Sequence, residues 1–289
     1  MTRRLETAAV RATLAGVRAL PEAVVPKCGA ALGWLAWLVD GRHRRVALDN
    51  VAAALPDRTP RERRAIVRES FMHFGRLLFE LLKFGTLPIE RVLERAEFEG
   101  EDRVQAAYGQ GRGVLFVTGH FGFWELHAMA HGAHFQPIGL LARALDNPEL
   151  NELLESIRQR TGNFVIYRQG TIRRVMRALQ QGQGVAVLID QHVQERDAVS
   201  VDFFGRPANT TPAVAALALR TGAPVVPVFA LPIGGGRYRM IYEPPVPAPR
   251  ADAPDAIREY TQRCTLALEA YVRRYPGMWL WMHRRWRQE

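Results

Sequence analysis

Cysteine is nearly absent: Cys28 and Cys264 are the only two in 289 residues. They cannot build a disulfide framework, and they lack the C-x-x-C spacing of a redox or zinc site, so buried thiols in a reducing compartment are expected. Lysine is as scarce, with only Lys27 and Lys83, so nearly all of the 39 basic residues are arginine. No uninterrupted apolar run reaches the roughly 20 residues of a spanning helix, because Pro26 and Lys27 break the one candidate. Asp40, Gly41 and Arg42 stand where a signal peptide would place its small-residue cleavage site. Internal repeats, low-complexity linkers and the G-x-S-x-G elbow of serine hydrolases are missing too.

What is present is positive charge, +10 net. A field of that sign favours anionic partners such as phospholipid headgroups, phosphorylated substrates or an acidic carrier protein. Nucleic acid is not expected, since the arginines run through every segment instead of clustering with aromatics on one element. The amino end carries Thr2, Arg3 and Arg4, then an arginine-dotted apolar stretch from Leu5 to Leu20. A second apolar segment, Cys28 to Val39, contains Trp34 and Trp37 and is closed by Arg42, His43, Arg44 and Arg45. The pattern predicts an amphipathic hairpin over residues 1–45 lying in a membrane interface, its arginines facing an anionic surface, with packed helices as the plain alternative. Residues 46–289 then form the main domain.

Thr59-Pro60-Arg61-Glu62 offers a capping residue, a proline at the first helical position and an acidic first turn. The apolar stripe from Ile66 to Leu82 predicts one long helix ending at Gly85. After residue 100 short apolar runs alternate with helical periods. Strands are predicted at 113–118, 164–167, 184–189 and 224–231, and helices at 123–131, 171–181 and 211–221. Apolar strands alternating with helices predict an α/β fold, a mainly parallel or mixed central sheet flanked by helices.

In such sheets ligands sit beyond the carboxyl ends of the strands. Two predicted strands end in usable side chains, one in Thr118-Gly119-His120-Phe121-Gly122-Phe123-Trp124-Glu125, the other in Asp190-Gln191-His192. His120, between glycines, suits a general base that takes a hydroxyl proton near neutral pH. Such a base needs its second nitrogen held by an acceptor, and either Glu125 or Asp190 could serve. Ser156 and Ser200 are weaker candidates as nucleophiles. His127 and His131, four apart, raise the question of zinc, but without H-E-x-x-H or a third ligand no metal is expected.

Residues 118–125 resemble the H-x-x-x-x-[DE] signature of the glycerolipid and lysophospholipid acyltransferases. Further stretches resemble, in order, the bacterial lipid A secondary acyltransferases: Val46 to Asn50, Asp146 to Pro148, Leu188 to Gln191, Phe203 to Gly205, Thr210 to Pro212 and Trp281 to Trp286. Leu140 to Ala144 departs from the family's aromatic-Arg-Pro, which leaves Arg143 without an assigned contact. The resemblance implies direct acyl transfer from an acyl thioester, on acyl carrier protein or coenzyme A, to a lipid hydroxyl, without a cofactor. It also implies a place at the cytoplasmic face of the inner membrane. His120 would be the base, Glu125 its partner, Asp190 a further orienting carboxylate and Arg158 a lining residue. Other acceptors, such as a lysophospholipid, a glycolipid or an aminolipid, fit the same motif. For the substrate, Arg158 and Arg160 are candidates to bind phosphate or the carbonyl oxygen. Phe203 and Phe204 are candidates to wall an acyl groove flanked by Arg206, and the tail from Trp279 to Arg287 to form a headgroup lip.

Overall fold

Four apolar strands, β2 (Val114–Thr118), β3 (Ile138–Ala142), β4 (Phe164–Tyr167) and β5 (Gly184–Leu188), run in parallel, each followed by a helix or a polar loop. The helices between and around them are α5 (Glu101–Gly109), α6 (Trp124–His134), α7 (Pro148–Gln159), α8 (Thr171–Gln180) and α9 (Ala213–Thr221). β8 (Val225–Gly234) is the fifth parallel strand, against β2. It turns through Gly234, Gly235 and Gly236, all at positive φ, into the antiparallel β9 (Arg237–Tyr242), and β1 (Ala96–Glu99) closes that edge beside β9. The sheet therefore has seven strands in the order β1-β9-β8-β2-β5-β3-β4 and is mixed, as the α/β expectation allowed. A separate hairpin, β6 (Val199–Asp202) with β7 (Pro207–Thr210), lies outside it. The computed structural model describes residues 12–167, 171–250 and 252–287. Thr2, Arg3, Arg4 and the first part of the amino-terminal apolar stretch fall outside that range.

Because side chains alternate along a strand, β2 feeds two cores. Leu115 and Val117 join a cluster with α8, α9, α10 (Ala256–Arg274) and the tail tryptophans. Val114 and Phe116 join one with α5 and α6. The long helix α3 (Pro60–Phe84) reaches both, with Val67 and Phe71 in the first and Leu77 and Phe84 in the second. Its start has the expected capping residue, which forms a capping box, with the Thr59 backbone N–H donating to the Glu62 carboxylate at 2.7 Å.

Ahead of α3 come α1 (Val25–Val39) and α2 (Gly41–Ala54), and after it the short α4 (Ile89–Leu93). Gly29 and Gly33 of α1 face Gly75 of α3 so closely that a Cβ at Gly33 would stand 2.2 Å from the Phe71 carbonyl oxygen. Small residues four apart let two helices touch backbone to backbone, as helices within membranes do. The bulky side chains of α1 are thereby turned outward: Leu32, Trp34, Leu35, Leu38 and Val39 are exposed. At fifteen residues the helix is about 22 Å long, short of the roughly 30 Å hydrocarbon layer. Among the described residues, no helix is long and apolar enough to cross a membrane.

Candidate active site

β2 and β5 pair with Thr118 opposite Leu188. Two residues past each strand end, the same register sets His120 against Asp190. Asp190 Oδ2 accepts the His120 backbone N–H at 2.7 Å, and Oδ1 accepts the ring Nδ1–H at 2.9 Å. The Trp279 indole N–H donates to Oδ2 at 2.8 Å. With its proton on Nδ1, the imidazole keeps Nε2 as an acceptor, and the Gln191 amide nitrogen stands 3.4 Å from it. Gly119 is required by this closeness, since a Cβ there would lie 2.9 Å from Asp190 Oδ2. Gly122 is required by its φ of 59° and by the Ala230 carbonyl that a Cβ would strike at 2.2 Å.

The Asp190 side chain is 2% exposed and that of His120 18%. Burial pushes the Asp190 carboxyl up, but the His120 charge and the hydrogen bonds from His120 and Trp279 outweigh it and hold Asp190 below its ordinary value. Burial pulls the imidazole down. The Asp190 charge and hydrogen bond, helped by Glu125, reverse that and raise His120 above its ordinary 6.5.

Glu125 does not hold the imidazole, contrary to what the motif implied. Residues 120–123 are not helical, and α6 begins at Trp124, so Glu125 is not one helical turn from His120. Its carboxylate is instead gripped by the guanidinium fork of Arg158 on α7, with Arg158 Nε donating at 2.9 Å and Nη2 to the second oxygen. The Trp124 indole donates to Glu125 at 3.1 Å. A bidentate pair of this kind is rigid and geometrically specific. Burial lowers the Arg158 guanidinium, and the Glu125 hydrogen bond and charge outweigh that, raising it.

His120 stands on the wall of an open cleft of about 1460 Å³, shared with Arg143, Leu145, Ile172, Arg173 and Gln191. A narrow, mostly apolar slot of about 50 Å³ runs between α6 and the sheet past Phe116, His127, Ile138 and Val228. Leu141, Arg158 and Leu188 line both, so the slot lies next to the cleft, and His120 lines the cleft.

Other candidates lie elsewhere. Arg160 donates to the carbonyls of Phe84 and Leu87, both at 2.7 Å, and ties α7 to the end of α3 instead of facing the cleft. Phe203 and Phe204 do not wall a groove. They form the tight turn of the β6–β7 hairpin, Phe204 with φ of 60°, and their rings are buried against Trp279, Trp281 and Trp286. Arg206 covers the Trp286 ring at 5.2 Å. The tail is less a lip than a plug: Trp279, Trp281 and Arg285 are buried, and Asn50 donates to the carbonyls of Trp281 and His283, both at 2.8 Å.

His131 is held between the hydroxyls of Tyr108 and Tyr242, each 2.9 Å away, and His127 packs edge-on to the Tyr242 ring. Ser156 and Ser200 are exposed, with the Ser156 hydroxyl bonded to the Leu153 carbonyl. Burial pushes the Cys264 thiol up to about 12, which leaves it protonated at neutral pH. Sequence reasoning placed Trp279 in a headgroup lip and missed its indole bond to Asp190, since only the fold brings the tail back to the strand ends.

The geometry defines a mixed α/β protein whose carboxylate-held imidazole lines an open cleft next to an apolar slot. The chain belongs to the bacterial lipid A biosynthesis acyltransferase family, whose model matches residues 1–288, and it is accordingly an acyltransferase. It is similar to the lipid A biosynthesis lauroyltransferase of Escherichia coli K12, 28% identical over 93% of this chain and 87% of that one. The lipid A biosynthesis myristoyltransferase of the same organism is 25% identical over 94% and 83%. The phosphatidylinositol mannoside acyltransferase of Mycolicibacterium smegmatis is 24% identical over 93% and 88%. A crystal structure of the 1-acyl-sn-glycerophosphate acyltransferase from Thermotoga maritima aligns at a TM-score of 0.38 and 15% identity, over 81% of this chain and 97% of that one. At that score the likeness decides nothing.

Proposed function

We propose that this acyltransferase moves a fatty acyl chain from the thioester of acyl carrier protein to a hydroxyl of a lipid A precursor, with His120 as general base. The observation that carries this reading is the His120–Asp190 pair, whose imidazole lines the cleft next to the slot. Asp190 fixes the tautomer, so Nε2 faces the cleft as the acceptor. The lipid hydroxyl gives its proton to Nε2 while its oxygen attacks the thioester carbonyl. Asp190 stabilises the imidazolium that forms. As the C–S bond breaks, the proton returns to the leaving thiolate. Arg158, held flat by Glu125 at the mouth of the slot, is placed to stabilise the oxyanion. The apolar lining of the slot suits the first carbons of the acyl chain, and the cleft with Arg143 and Arg173 suits an anionic acceptor.

The outward apolar face of α1, followed by Arg42 and Arg45, supports association of residues 1–45 with the cytoplasmic face of the inner membrane. The test is lipid mass spectrometry of cells with and without the gene, paired with transfer assays of the purified protein. A mass shift of one acyl chain on lipid A, lost with His120→Ala, is expected. Transfer at full rate by a folded His120→Ala protein overturns the base assignment, and a shift on another lipid overturns the acceptor.

A further inference from the structure

α2 opens on Asp40, whose carboxylate caps the helix by accepting from the His43 backbone N–H and meeting its ring, and the first two turns carry Arg42 and Arg45. The amino end of a helix bears partial positive charge, so cations there are unfavourable. The fold makes this worse by bringing Arg284 and Arg287 of the tail to the same place, through the clamp of Asn50 on the Trp281 and His283 carbonyls. The four arginines, with Val46, Asn50 and Trp286, line a bowl of about 610 Å³ in which Asp49 is the sole carboxylate among the described residues. All four are exposed. Among the described residues none of them forms an ion pair or a side-chain hydrogen bond. Elsewhere on the surface arginines are commonly matched, as in Arg237 with Glu97 at 2.7 Å and Arg91 with Glu94 at 2.6 Å. Four exposed guanidinium groups concentrated in one bowl favour an anion there.

What lies next to the bowl says which anion. Only Asp40 separates Arg42 and its neighbour Gly41 from Val39, the end of the exposed apolar row Leu32, Trp34, Leu35, Leu38 and Val39. A face of that composition enters the acyl boundary of a bilayer and brings the following residues to headgroup level. We propose that the Arg42–Arg45–Arg284–Arg287 bowl binds the phosphate of an anionic phospholipid in the bilayer surface, as a second lipid site apart from the catalytic cleft. This rests on the membrane-facing reading of α1. The site joins the amino-terminal helices to the tail, and the tail carries Trp279, which donates to Asp190. Headgroup binding therefore holds the membrane anchor and the support of the imidazole in one arrangement.

The experiment is flotation of the full chain with vesicles of phosphatidylcholine alone and with added phosphatidylglycerol, at physiological salt. Wild type is expected to bind both and the anionic vesicles more tightly. Replacing all four arginines by glutamine should remove that increment, a loss of up to about a thousandfold given roughly 1 kcal/mol per basic residue near an anionic surface. A control quartet at exposed positions elsewhere, Arg112, Arg220, Arg250 and Arg258 to glutamine, should keep most of it, because charges beyond a Debye length of about 10 Å from the bilayer are screened. Thermal melting of both quartets checks folding. Trp34→Ser with Leu35→Ser should weaken binding to both vesicle types alike. Equal binding of wild type to neutral and anionic vesicles sinks the bowl and leaves the apolar anchor standing, whereas no binding to either sinks both. Retention of the increment by the bowl quartet also overturns the proposal. Two other outcomes do so as well: loss by that quartet of acyl carrier protein binding alone, or stabilisation of wild type through these arginines by inorganic phosphate that vesicles do not compete away.

Discussion

Histidines only a few turns apart along one segment meet opposite fates. His120, just past the carboxyl end of the central strand β2, faces Asp190 and is raised above 6.5. His131, well inside α6, sits between two tyrosine hydroxyls, and burial drives it well below that value. His127 beside it is lowered to about 4 by burial. All three rings are largely out of water. The difference is a carboxylate: a buried imidazole next to an anion can take up a proton, while one among neutral hydroxyls is a packed, uncharged part of the core.

The sharpest way to break that contrast is His120→Ala, for which transfer should fall by about 10³ to 10⁴ if general-base catalysis runs through this ring. Measured with purified protein and thioester donor, a loss of under tenfold would leave His120 no special role. Asp190→Asn follows, with a loss of about 10² to 10³ as the tautomer and the imidazolium lose their support. Its pH profile carries more information. The base must be neutral, so wild-type kcat/KM should rise with pH through a midpoint above 6.5, and that midpoint should move down in Asp190→Asn, where the raising charge is gone. An unmoved midpoint would mean that another group titrates.

Arg158→Lys keeps the charge but loses the fork that grips Glu125, and about a tenfold fall in kcat with the acid midpoint retained is expected. Trp279→Phe removes one of the bonds to Asp190, worth about 1 kcal/mol or roughly fivefold in rate. The smallest effect on chemistry is expected from His131→Phe, which takes a buried hydrogen-bond partner from each of the Tyr108 and Tyr242 hydroxyls. It should cost about 1–3 kcal/mol of stability without moving the pH midpoint of transfer. Its linkage sign is opposite to that of His120. A histidine whose value is depressed in the fold takes up protons on unfolding, so stability is lost as pH falls from 6.5 toward the depressed value. Thermal melting against pH should show a shallower acid loss in His131→Phe than in wild type.

The scaffold and the site differ in how much of each could be read in advance. The capped helix α3, the strands β2, β4, β5 and β8, and the class of fold followed from periodicity and turn residues. β1 and β9 did not, because short edge strands such as Ala96–Glu99, and Arg237–Tyr242 with its exposed arginines, carry too few apolar residues for a buried run. The close crossing at Gly29, Gly33 and Gly75 was also missed, since its meaning depends on a partner helix distant along the chain.

The residues alone determined that a histidine between glycines would end one parallel strand and an aspartate another, because strand length and turn chemistry are local. Which acid would hold that histidine was decided only by the register of β2 on β5, which spans seventy residues. The same is true of Trp279 donating to Asp190, of Arg160 serving helix ends, and of the phenylalanines plugging the tail. A side chain's partner is set by distances in space, and these arise only once the layers have packed.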